Sequence, residues 1–186
     1  STSWGTSTRM IGALIMAHGD ERGLVLPPMV APVQAIVVPV AAHKEGVTEK
    51  AKEIAAQLIA ADVRAETDLR EMSPGWKFNE WEMKGVPVRI EIGPRDIEKG
   101  QAVVVRRDTH EKAFVPLEGL ADAVADLLKA IQKNMLEKSR ALRDSRVSEA
   151  HSVAEILDGV ERGHFVKAAW CGCRACEDKI KEIMEI

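Results

Sequence analysis

The 186-residue chain carries 26 Lys plus Arg against 29 Asp plus Glu, a formal net charge of -3. That balance excludes a polycation that holds nucleic acid by global charge, so any RNA contact has to be local. The length allows one domain with appendages. No apolar run reaches the ~18 residues of a membrane span, because Pro27, Pro28, Pro32 and Pro39 interrupt the longest. A soluble, cytoplasmic protein with no membrane partner is the expectation.

The chain opens on Ser3-Trp4-Gly5-Thr6-Ser7-Thr8-Arg9. Its small residues let backbone approach a ligand closely, and Arg9 brings a planar donor fork suited to phosphate or adenine. Met10, Ile11, Leu14 and Ile15 fall at helical spacing over 9–18, with Gly19 as C-terminal cap and Asp20 to Gly23 as a turn. On Gly5 and Gly12 alone, the stretch would be an ordinary turn before a helix. Leu24 to Pro28 leaves it extended, since each proline disfavours helix in the residue before it.

Val33 to Val38 is an apolar run, interrupted only by Gln34, of the kind buried on both faces of a sheet. A helix is expected from about Thr48 to Ala61, with Ala51, Ile54, Ala55, Leu58 and Ile59 on one face. Val63 to Thr67 reads as a short strand, Trp76 to Met83 as a second helix closed by Gly85, and Val86 to Ile92 as an alternating strand ended by Gly93-Pro94. Ala102 to Arg106 and Ala113 to Val115 follow as strands. A long helix starts near Leu120, with Val124, Leu127, Leu128, Ile131, Met135 and Leu136 at steps of three and four. Such alternation predicts an α/β domain with a mixed sheet covered by helices. Arg89, Arg95, Lys99, Arg106, Arg107 and Lys112 gather just after Trp76, Phe78 and Trp81. A solvated sheet edge is the ordinary reading of such a run, but arginines among aromatics also suit single-stranded bases.

Beyond the charged stretch Arg140 to Arg146, a short helix is expected over Glu149 to Leu157 and a strand over Phe165 to Trp170. All three cysteines follow, as Cys171-Gly172-Cys173-Arg174-Ala175-Cys176. Three thiols within six residues point to metal or redox chemistry over a disulfide scaffold. By spacing, Cys173 and Cys176 form Cys-x-x-Cys; a redox site is disfavoured by its place near the chain's end. His43, His110, His151 and His164 read as loop or surface residues, while His18 follows the first helix and reads as either packed or facing a ligand.

Residues 3–28 resemble motif 3 of class II aminoacyl-tRNA synthetases in their prolyl version. The stretches Ser73 to Glu82 and Gly85 to Asp96 resemble the anticodon-binding domain of the same family, best in its archaeal and eukaryotic subtype. The resemblance implies three parts: the end of a catalytic domain (1–28), an anticodon-binding domain with a five-stranded mixed sheet (29–143), and part of a small α+β zinc-binding C-terminal domain (144–186). It implies proline, ATP, magnesium and proline tRNA as ligands of the full enzyme, and a homodimeric parent. It also implies that this chain is an inactive C-terminal portion lacking motifs 1 and 2 and the magnesium ligands. Arg9 would stabilise phosphate charge, and Trp4, Gly5, Ser7 and His18 would line the proline and ATP sites. Phe78, Glu82, Arg89, Arg95 and Asp96, with Lys112 as a looser match, would read the two guanines of proline anticodons. Carboxylates accept from guanine N1 and N2, and arginine donates to O6 and N7. Cys171 and Cys176 would supply half of a four-cysteine zinc site, with Cys173 a neighbour. The alternatives are a non-catalytic RNA-binding module on the same fold, or an α/β domain that binds a protein.

Overall fold

Ala35 to Pro39, fully buried, is the strand around which the first part of the molecule is built. The computed structural model describes residues 5–184 and forms two compact units, Ser1–Leu136 and Glu137–Ile186. In the first unit the elements run α1 (Arg9–His18), β1 (Ala35–Pro39), α2 (Val47–Ala60), β2 (Ala65–Thr67), α3 (Pro74–Met83), β3 (Val88–Ile92), α4 (Pro94–Glu98), β4 (Gln101–Arg106), β5 (Lys112–Pro116) and α5 (Leu120–Ser145), whose end enters the second unit. The second continues with β6 (Val147–Ala150), α6 (Val153–Glu161), β7 (Phe165–Ala168) and α7 (Arg174–Met184).

The five strands form one mixed sheet in the order β2-β1-β3-β4-β5. β1 is parallel to β2 and β3, and the β3-β4 and β4-β5 pairs are antiparallel. Because side chains alternate across a strand, β1 feeds two cores. Ala35 and Val37 pack with Ala51, Ile54, Ala55 and Leu58 of α2 and with Val124, Leu128, Ile131 and Met135 of α5. Ile36 and Val38 face the other way, against Val86, Phe78 and Trp81. One face therefore carries α2 and α5, and the other carries α3. That second face becomes the site.

In the first unit the expected elements are present, with boundaries moved by at most two residues. The five-residue α4 after Gly93 is additional; it is too short to show a helical period. In the second unit, Glu149 lies on β6 rather than in a helix. Val147 to Ala150 pair in parallel with Phe165 to Ala168, and the helix begins later, where the Ser152 hydroxyl accepts from the Glu155 N–H. None of the residues of α1 is buried. No helix among the described residues is long and apolar enough to cross a membrane.

Candidate nucleic-acid interface

Strand pairing aligns four residues across one sheet face. Ile36 pairs with Arg89, Arg89 with Val105, and Val105 with Lys112. α3 lies over this row, and its positions 78 and 82, one helical turn apart, aim Phe78 and Glu82 at it. Together they line a cavity of about 300 Å³ that also includes Asn79, Trp81, Arg22, Arg106, Arg107 and His110. Four arginines line it, and Glu82 is the one carboxylate among its described lining residues.

The Arg89 guanidinium lies 4.3 Å from the centre of the Phe78 ring, within the range of a cation–π contact. Its Nε and Nη2 donate to Glu91 Oε1 at 3.0 and 2.9 Å, and Lys112 Nζ lies 3.9 Å from the same oxygen. Glu82 Oε1 accepts from Arg22 Nη1 at 2.9 Å and lies 3.1 Å from His110 Nδ1. Burial pushes the Glu82 carboxyl upward, but the Arg22 hydrogen bond and the charges of Arg22, His110 and Arg107 more than offset this and leave it below its ordinary value. Glu82 is thus an ionised acceptor, the form that can receive two base N–H groups.

Arg107 ties the floor together. Its Nε donates to the Glu82 carbonyl at 2.8 Å, satisfying an acceptor at the end of α3. Its two Nη groups donate to the Asp20 carboxylate, both at 2.6 Å. The Arg107 hydrogen bond is the main reason the Asp20 carboxyl is held well below the usual range. The segment carrying Asp20 is pinned further by Leu24 N–H to Met83 O and Leu26 N–H to Gly85 O, at 3.0 and 3.1 Å. Gly23 permits this closeness: at φ +127° a Cβ would stand 2.6 Å from Met83 O.

A second network fixes α3 from below. Asp68, just past β2, accepts from Arg70 Nε and Nη2 at 3.0 and 2.6 Å and from Trp81 Nε1 at 2.7 Å. The buried Lys77 Nζ donates to Asp68 O at 3.0 Å and lies 3.7 Å from Asp68 Oδ1. Positions 77 and 81 therefore anchor the helix, and Trp81 also lines the cavity that 78 and 82 face.

Of the anticodon residues expected from sequence, Phe78, Glu82, Arg89 and Lys112 come together. Arg95 and Asp96 do not line the cavity. They sit on α4 beyond the end of β3, where Arg95 is exposed and the Asp96 carboxylate accepts from Gly93 N–H at 3.0 Å. Arg9 is exposed at the start of α1 and His18 ends it, about 14 Å apart at 1.5 Å per residue. Burial pushes the His18 pKa down. Gly5 and Ser7 are exposed before α1, and Trp4 lies outside the described residues.

The three thiols are exposed around the start of α7. Backbone hydrogen bonding lowers the pKa of Cys171 and Cys173, while a hydrogen bond with Cys171 raises that of Cys176. No group of three or more His, Cys, Asp or Glu side chains among the described residues is placed to hold a metal ion. The thiols are chemically suited to zinc, but they do not form a complete site, which usually takes four ligands.

Arg22 carries no signal in sequence, while Arg107 stands out there only as one of the basic run and His110 only as a loop histidine. Arg107 and His110 follow β4 and Arg22 precedes the sheet entirely, so only the tertiary fold joins them.

Residues 34–127 match the family model described as anticodon binding domain. The chain is 56% identical over 182 residues to a protein of Lachnoclostridium phytofermentans and 54% identical over 182 residues to one of Lachnospira eligens, covering 97% of this chain in each case. It is 53% identical over 183 residues, 98% of the chain, to one of Clostridium botulinum. All three bear the name proline-tRNA ligase, and the chain spans 38% of the length of each. These relatives are bacterial, so the archaeal and eukaryotic subtype expected from sequence is not established. With the model spanning half of its residues, the chain belongs to the anticodon-binding domain family and is homologous to the proline-tRNA ligases.

Proposed function

We propose that this chain is part of a cytoplasmic proline-tRNA ligase and that its cavity reads the guanines of the proline anticodon. The observation that carries the reading is the convergence of a flat aromatic, an ionised carboxylate and an arginine-lysine pair. Phe78 offers a stacking face, Glu82 two acceptor oxygens for N1–H and N2–H, and Arg89 and Lys112 donors for O6, N7 or phosphate. Arg95 and Asp96 on α4 would extend the contact along the RNA.

Residues 1–28 would end the catalytic domain, 29–143 form the anticodon-binding domain, and 144–186 belong to a C-terminal domain. In the whole enzyme, a homodimer, proline and ATP would give prolyl-adenylate, and the prolyl group would pass to tRNA. Arg9 would meet phosphate charge, with Gly5, Ser7, Trp4 and His18 nearby; magnesium would screen the phosphates. Cys171 and Cys176 would contribute two zinc ligands, and the chain alone would not activate proline.

The test is binding of cognate and guanine-to-adenine anticodon stem-loops at fixed salt by wild type, Glu82→Ala, Arg89→Ala and Lys99→Ala. Loss of one base contact should cost about 1 to 3 kcal/mol of discrimination. Lys99→Ala should weaken all RNAs alike. Unchanged guanine preference in both Glu82→Ala and Arg89→Ala would remove the assignment.

A further inference from the structure

Glu82 is held by two side chains that lie far from it in sequence. Arg22 stands 60 residues before it and precedes the matched region 34–127. His110 sits in the β4-β5 connection with φ +61°, a left-handed conformation uncommon outside glycine and asparagine. Each of its ring nitrogens faces a carboxylate, Nδ1 at 3.1 Å from Glu82 Oε1 and Nε2 at 3.6 Å from Asp20 Oδ2. Both Glu82 contacts fall on Oε1, and no described hydrogen bond engages Oε2. The Arg22 side chain reaches this position because Asp20 is clamped by the buried Arg107 and accepts from Arg22 N–H at 2.9 Å.

We propose that Arg22 and His110 are positioning residues for guanine. They fix the rotamer and charge of the Glu82 carboxylate, so that it meets the guanine N1–H and N2–H edge without reorganising. The site would then include the segment 20–26, which lies outside the family's matched region. This inference rests on Glu82 being a base reader. A carboxylate left to rotate would still attract donors, but it would lose directional preference for the guanine edge, because an unfixed acceptor has to be ordered on binding.

The experiment uses the full chain and compares stem-loops carrying guanosine or inosine in the anticodon, which differ only in the N2 amino group. Arg22→Ala should lower the guanosine-over-inosine affinity ratio by about tenfold, one charged hydrogen bond's share, toward the value for Glu82→Ala. Arg22→Lys should keep most of the ratio, since a single N–H makes the contact. His110→Gly is the fold-safe companion, because glycine relieves the left-handed backbone, and it too should lower the ratio. In a Glu82→Ala background neither change should lower it further.

Equal weakening of both stem-loops by Arg22→Ala would make Arg22 a phosphate contact and overturn the proposal. A gain in affinity would overturn it as well, showing that Arg22 competes with the base. A wild-type ratio retained by Glu82→Ala would instead defeat the reading of Glu82 itself.

Discussion

Replacing Asp68 by alanine should be among the most costly single changes in the first unit. Lys77 is 2% exposed, so without Asp68 its ammonium keeps only the backbone carbonyl of residue 68. The Trp81 indole N–H, 2.7 Å from Asp68 Oδ2, loses its acceptor. Breaking a buried pair by removing one partner costs about 3 to 5 kcal/mol, and the orphaned N–H overlaps with that term. We therefore expect a loss near 4 kcal/mol, against a total stability of roughly 5 to 15 kcal/mol. With an m-value of about 2 kcal/mol/M, the urea midpoint should fall by about 2 M. Fluorescence-detected unfolding measures this when Trp4 and Trp170 are changed to Phe, leaving Trp76 and Trp81 to report. Lys77→Met is the control: it removes the charge, keeps the apolar stem, and leaves Asp68 with Arg70 and Trp81, so it should cost far less. An Asp68→Ala loss below about 1 kcal/mol, the value of an exposed pair, would refute the reasoning. So would equal losses for both variants.

Acid should weaken the fold. Arg107 lowers the Asp20 carboxyl, and the hydrogen bonds from Arg70 and Trp81 lower Asp68 against its burial. Those from Arg106 and Asn134 do the same for Asp108. Groups with depressed folded pKa values contribute fully above the unfolded value of about 3.9 and lose that contribution as pH falls through the folded one. Urea midpoints should therefore drop below about pH 4, and the gap between wild type and Asp68→Asn should narrow there; a constant gap contradicts this. Gly23→Ala should destabilise by about 1 to 3 kcal/mol, since its Cβ meets Met83 backbone at 2.6 Å, and a calorimetric change under ~0.5 kcal/mol, the usual surface value, would argue against that docking. Zinc should bind the chain weakly and lose what affinity it has in Cys171→Ser and Cys176→Ser. If metal analysis instead finds that Cys173→Ser alone abolishes binding, the ligand pair is wrong.

The sheet and the upper wall of the cavity were legible because they rest on local periods. The apolar run 33–38 announced a strand buried on both faces, and positions 78 and 82 lie one helical turn apart. Alternation along β3 puts Arg89 on the face opposite Val88 and Ile90. The same alternation divides the basic run 89–112, which looks uniform in sequence. Arg89, Arg106, Arg107 and Lys112 line the cavity, with the Arg106 guanidinium engaged by Asp108, whereas Arg95 sits on α4 and Lys99 just past its end. What stayed hidden depends on long-range closure. Nothing near Asp20 marks Arg107 as its partner, and His110 looks like any loop histidine until the hairpin turns it over Glu82. Asp68 and Lys77 are nine residues apart, yet only burial shows that they form a pair. Glu149 reads as helical in sequence because a four-residue strand leaves no clear period, and its pairing partner Lys167 lies beyond the next helix.

The central claim is that this cavity distinguishes guanine. The most direct measurement is the ratio of dissociation constants of the wild-type chain for a proline anticodon stem-loop and for the same stem-loop with both guanines changed to adenine, at one salt concentration. Two lost base contacts at about 1 to 3 kcal/mol each predict at least a tenfold preference for the guanine form. Equal affinity for the two stem-loops would contradict the account.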